Sequence, residues 1–351
     1  MKDPDRGGSL DELLDKSLTF DATTERGLTN HLPMALVAKA GLGASLVELR
    51  RFSTRYSRRL VPAGSSGHLV TKSDWQSAVG KKDAYVDLTR FFDDEVRELG
   101  IEGAVRTYLT YLLPGISGAA FHGVIRLAYS LDVDSPERVG TALAYLASSA
   151  MELAPLEDVE ERTDDPEVLL VEMTVGGAWA SVPATNLISD EMRWVGPQPG
   201  FSSFASSLQV DDSTPRRLAA AALKVYASTN NFTALHGVTG MEALARLRRY
   251  AEDTERFDRY SFQALAAAFA TIGAPAVWSA DQLAVAASST VLDEETVRHR
   301  AAWSDDEHVA KLVFTSQRLH ERQPDPLYQF VSERAVTNDP SSQGDDRNVD
   351  A

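Results

Sequence analysis

Apolar residues recur along this chain at the spacing of a helix face. Met34, Val37 and Ala38 fall on one side of a helical turn, and so do Leu109, Leu112 and Leu113, then Leu218, Ala222 and Val225, then Leu244 with Leu247. Alternation with the period of a strand is nearly absent. Its one candidate is Val168 to Val182, where two apolar-rich runs flank Gly176 and Gly177 and predict a small hairpin. Turn signals at Val61 to Gly67, Leu113-Pro-Gly115, Asp134-Ser-Pro136, Trp194 to Ser203 and Ile272 to Pro275 cut the chain into many helices with short connectors. The expectation is an all-α fold, one large multi-helix domain over residues 21–335 packed around a central metal and substrate pocket. Residues 1–20 read as a loosely held arm. Residues 336–351, rich in Asp, Ser and Asn, read as a disordered tail. Division near residues 155 to 215 is the competing arrangement, and no fixed repeat period supports a solenoid.

Composition removes several classes of function. The chain has 351 residues and a formal charge of −16, the wrong sign for a partner made of phosphates, so neither nucleic acid nor an anionic membrane surface is expected. No apolar run is long enough to span a bilayer, and the polar start Met-Lys-Asp-Pro-Asp lacks a secretory signal, which makes the cytoplasm the default location. There is no cysteine. Disulfides and thiolate chemistry are therefore excluded, and His, Asp and Glu are left as metal donors.

Only seven histidines occur, and two of them repeat a phrase. Ala119-Ala-Phe-His-Gly-Val124 and Thr233-Ala-Leu-His-Gly-Val238 each set a histidine among small residues, where another helix or a ligand can approach closely. The structural alternative is a buried imidazole satisfied by a backbone carbonyl. His31, in Thr29-Asn-His-Leu-Pro33, is expected at a helix start capped by Asn30 or Thr29, beside the positive end of the dipole. His308 follows Ser304-Asp-Asp-Glu307, which has capping-box spacing, and shares a helix face with Lys311, Leu312, Thr315 and Leu319. A lysine on such a stripe ordinarily snorkels to water. The sharper reading is burial, which yields a neutral amine able to add carbon dioxide and present a carbamate to a metal. His68, His299 and His320 lack comparable settings and read as surface residues.

Taken together, Asn30-His-Leu-Pro-Met34, Phe121-His-Gly-Val-Ile-Arg-Leu-Ala-Tyr129, Phe232-Thr-Ala-Leu-His-Gly-Val-Thr-Gly240 and Asp305-Asp-Glu-His-Val-Ala-Lys-Leu312 resemble the questin oxidase-like family, whose members act on anthraquinone-type aromatic polyketides. The resemblance implies an all-helical oxygenase that needs no flavin. It includes a non-haem iron, ring-opening dioxygenase with four histidine ligands and a carboxylated lysine. By position, His31, His122, His236 and His308 would be the nitrogen ligands of Fe(II), and Lys311 would carry the carbamate. The substrates implied are a small aromatic molecule and dioxygen.

Other members of that family are Baeyer-Villiger monooxygenases that use NADPH. This chain has no Gly-x-Gly-x-x-Gly after a strand, and Gly41-Leu-Gly43 lacks the third glycine, so NADPH would bind without a recognisable motif or act as a distant reductant. A third reading is a helical binding protein with a structural zinc or cobalt site. Phe121, Tyr129, Phe232 and Trp303 lie near the ligand phrases and could sandwich a flat substrate, although core packing is the commoner use of such residues.

Overall fold

The computed structural model describes residues 4–65, 67–176, 179 and 181–343. It contains sixteen α-helices and short 3-10 turns; isolated bridges such as Thr23 with Thr29 occur, but no strand or sheet, among the described residues. The all-α expectation holds. No described helix is long and apolar enough to cross a membrane.

Two compact units emerge. The first comprises residues 1–64 and 279–351, the second residues 65–278. In the first, α1 (Pro4–Ser17), α2 (Leu32–Gly41) and α3 (Leu46–Tyr56) pack together. The second holds α4 (Tyr85–Leu112), α5 (His122–Ser130), α6 (Pro136–Ser149), α7 (Pro166–Gly176), α8 (Ile188–Val195), α9 (Phe201–Ser206), α10 (Thr214–Thr229), α11 (Phe232–Leu247) and α12 (Thr254–Thr271). The chain then returns to the first unit with α13 (Ala280–Ala287), α14 (Glu294–Trp303), α15 (Glu307–Arg322) and α16 (Leu327–Asn338).

The apolar stripes become contacts. Met34 and Ala38 are buried on α2, which lies against α15, where Leu312 and Leu319 are buried too. In the second unit α4 runs along α6 and bends at Gly100, whose left-handed φ of 72° suits a residue without Cβ. Leu218, Ala222 and Val225 of α10 and Leu244 and Leu247 of α11 are likewise buried.

Three local expectations are corrected. The hairpin over 168–182 is α7 as far as Gly176, because Leu169, Leu170 and Met173 bury one helical face; Gly177 lies outside the described residues. The N-terminal arm carries α1, whose Leu14 and Ser17 are buried where α1 meets α2 and α3. The start of the tail is ordered too. Val336 is buried at the end of α16, and Ser341 and Ser342 lie in a 3-10 turn. Residues from 344 on are outside the description.

Candidate metal centre

In the first unit, His31, Glu307 and His308 each place a ligand atom so that all lie within 4.8 Å of one another. Lys311 joins them. Its Nζ is 3.1 Å from His31 Nδ1, and its side chain has 0% exposure.

Local sequence accounts for each placement. Asn30 Oδ1 accepts the Leu32 amide at 3.0 Å, and Pro33 occupies the first turn of α2, where a missing N–H costs nothing. His31 thereby becomes the N-cap at the positive helix end. Tyr56, at the end of α3, accepts the His31 amide at 3.0 Å and bonds the Glu307 carboxylate through the same oxygen. Burial, and then the Glu307 charge, push this phenol above its usual range.

On α15 the cap is Asp306, not the expected Ser304. One Asp306 oxygen accepts both the His308 amide at 2.8 Å and His308 Nδ1–H at 2.9 Å. The Ser304 hydroxyl accepts the Asp306 amide at 3.0 Å and donates to the Asp339 carboxylate, so the capping box does not form. The Glu307 carboxylate consequently turns to the cluster. Because Nδ1 donates to Asp306, the His308 lone pair is on Nε2. Burial and the Lys311 charge hold this imidazole below its usual range, against the opposing Asp306 hydrogen bond. Burial favours the neutral Asp306 carboxyl, but the His308 bonds and nearby positive charges outweigh it and its pKa falls.

Lys311 is buried on the stripe with Leu312, Thr315 and Leu319, so the snorkelling alternative is set aside. Desolvation lowers its pKa to about 8, against the pull of Glu307 and Asp306. A neutral amine is therefore accessible near neutral pH. Beside the cluster a pocket of about 540 Å³ is lined by Phe52, Arg55, Tyr56, Arg59, Glu307 and His308, with others. Arg59 lies 3.9 Å over the Tyr56 ring and donates to Glu307 Oε2 at 3.0 Å.

The second unit brings His122 and His236 together, with ring centroids 4.8 Å apart. Each ring bonds a carbonyl through Nδ1, His122 to Ala119 at 2.6 Å and His236 to Phe232 at 2.8 Å. With Nδ1 donating, both lone pairs sit on Nε2, the arrangement that a ligating histidine needs. The repeated phrase thus has a repeated physical meaning.

His122 is aimed by an unusual backbone. Ala119, Ala120 and Phe121 take φ values of 48°, 51° and 69°, three left-handed residues in succession without a glycine. Small neighbours let the turn fit. A Cβ on Gly118 would land on the Ser149 carbonyl oxygen, and one on Gly123 would come within 3.1 Å of Leu146 Cα.

The four aromatic residues are dispersed in role. Phe121 has 0% exposure, its ring filling the space at Gly240, and Tyr129 has 1%. Both are buried side chains. Phe232 is exposed, with its ring edge against His236 at 4.7 Å. Trp303, in the first unit, is half-buried under Arg51. His68 and His299 are exposed as expected, whereas His320 is half-buried and accepts the Asp325 amide at 3.1 Å.

A set of imidazoles and carboxylates with fixed tautomers suits Fe(II) or another first-row ion. The Questin oxidase-like family model matches residues 28–189. That span includes His31 and His122 with the first two of the four phrases, and it links the chain to a family named for an oxidase. A comparison with curated proteins finds no match.

Proposed function

We propose that this chain is a metal-dependent oxygenase of a small aromatic substrate of the anthraquinone type, with Fe(II) held in the first unit by His31 and His308 and by a carboxylate from Glu307 or from carboxylated Lys311. The observation that carries the reading is the convergence of His31, Glu307 and His308 within 4.8 Å, with the Lys311 amine 3.1 Å from His31. When bound, ferrous iron supplies the redox couple through which dioxygen reacts with an electron-rich ring.

The surrounding residues have definable tasks. Asp306 fixes the His308 ring and its tautomer. Tyr56 ties the His31 backbone to the Glu307 side chain. Arg59 balances the Glu307 charge at the pocket wall. Carboxylation of Lys311 would join its neutral amine to carbon dioxide with loss of one proton, giving a second anionic oxygen donor. His122 and His236 present the same Nε2 lone pairs in the second unit.

Purified protein loaded anaerobically with Fe(II) should take up dioxygen when an anthrahydroquinone is added. His31→Ala should lose both the iron and the uptake. Protein grown with ¹³C-bicarbonate should show a carbamate carbon resonance that is absent from Lys311→Met. Substrate-dependent NADPH consumption by iron-free protein would overturn the reading in favour of a Baeyer-Villiger monooxygenase. Tightly held zinc without dioxygen uptake would overturn it in favour of a structural metal site.

A further inference from the structure

Lys39, near the end of α2, is only 1% exposed, yet it lies outside the metal cluster. Its amine donates to two carbonyls at the end of α14, that of Ala302 at 2.8 Å and that of Ser304. The Phe52 ring covers it from α3, with Nζ 4.6 Å from the centroid. Among the described residues no carboxylate accepts from it; Glu48 and Asp339 act on it only through their charge.

An amine without an ion-pair partner is an unfavourable occupant of a core, and methionine would fill much the same space without that penalty. What the lysine supplies is donors for carbonyls that have no partner within their own helix. A positive charge also suits that end of the dipole. The consequence reaches the metal centre through one residue. Ser304 has 0% exposure, and with its carbonyl held by Lys39 its hydroxyl is placed to accept the Asp306 amide at 3.0 Å. Asp306 in turn takes both the His308 amide and His308 Nδ1–H on one oxygen. All these groups belong to the first unit.

We infer that Lys39 is a positioning residue for the metal centre, holding Ser304 so that Asp306 stays aligned with His308. It acts through those residues and touches neither ion nor substrate. The inference rests on the reading of His31, Glu307 and His308 as metal donors, and it adds a buried amine to what that site depends on.

The test is the Zn(II) affinity of the purified full chain, measured by competition against a chromophoric chelator, with folding checked by circular dichroism. Lys39→Met should bind Zn(II) about tenfold more weakly than wild type, the lower end of the loss expected when a ligating imidazole is no longer held. In an Asp306→Ser background the same substitution should lower affinity by less than about twofold, because the residue it acts through is already gone. Since the chain has no cysteine, Lys39→Cys carries a single thiol. Alkylating it with 2-bromoethylamine in urea and refolding rebuilds an amine at close to lysine's length, and this protein should recover wild-type affinity. It also covers the case in which the methionine variant does not fold.

A merely structural lysine would lower stability in denaturant and leave the affinity of the folded protein unchanged, and that result would overturn the inference. Equal tenfold losses in the wild-type and Asp306→Ser backgrounds would overturn it too. So would a failed recovery after aminoethylation, when wild type carried through the same refolding binds Zn(II) normally. Wild-type protein that binds no Zn(II) would sink the metal reading and this inference with it. Tight wild-type binding with full affinity in Lys39→Met sinks only the role of Lys39.

Discussion

A single oxygen of Asp306 is predicted to perform two separable jobs. It caps α15 by accepting the His308 amide at 2.8 Å, and it orients the His308 ring by accepting Nδ1–H at 2.9 Å. Serine is as good a cap as aspartate but is too short to do both. Asp306→Ser should therefore change the stability of the metal-free protein by no more than about 0.5 kcal/mol. Its metal affinity should fall about 10- to 100-fold, or roughly 1.4–2.8 kcal/mol, the usual result of removing the partner that orients a ligating imidazole. Asp306→Ala should show the same affinity loss and also destabilise by about 1 kcal/mol, because the cap itself goes. Urea denaturation with chelator present gives the first quantity, and competition against a chromophoric chelator for Zn(II) gives the second. Wild-type metal affinity in Asp306→Ser would refute the claim that this carboxylate serves His308. An undiminished stability in Asp306→Ala would refute the capping role.

Further outcomes follow from other parts of the structure. Gly118→Ala should destabilise by about 1–3 kcal/mol in denaturant titration, since the added methyl meets the Ser149 carbonyl oxygen, a backbone atom that cannot rotate away. Lys39 is buried, donates to the Ala302 carbonyl at 2.8 Å, and has its pKa lowered to about 7 by desolvation and then by Arg51. Its folded pKa lies below the unfolded value of 10.5, so the unfolded chain binds more protons between these limits and stability rises with pH across them. The rise from this group is at most about 5 kcal/mol, and metal-free Lys39→Met should show a flatter stability profile between pH 7 and 10 in urea melts. His122→Ala and His236→Ala should each lower iron per chain by elemental analysis if the second-unit pair ligates. Full iron in both would confine the metal to the first-unit cluster.

The sequence carried the fold class because helical periodicity is local: every stripe from Met34 to Leu247 that predicted a helix face is buried on one. It misjudged Val168 to Gly176, since a short, wholly apolar run has the same composition in a helix as in a strand. The histidines of interest could be named from their neighbours, and two pairings, His31 with His308 and His122 with His236, appear in the structure. Glu307 was hidden by its own plausible capping role. The signal lay in the run Asp305-Asp-Glu-His308, where one acid could cap and another was left over. Tyr56 left no trace, because its link to His31 spans 25 residues and depends on how α3 packs. Lys311 was legible as an oddity of pattern, but only tertiary burial distinguishes a neutral amine from a snorkelling cation.

The turn from Ala119 to Phe121 holds a further lesson. Left-handed backbone costs about 1–2 kcal/mol for each residue that bears a Cβ, and here the folding of the surrounding helices supplies it. The carbonyl at the head of that turn grips the imidazole three positions later. The direction in which His122 points is consequently written into the main chain when the protein folds and does not wait for an ion. The work of arranging that imidazole therefore belongs to folding.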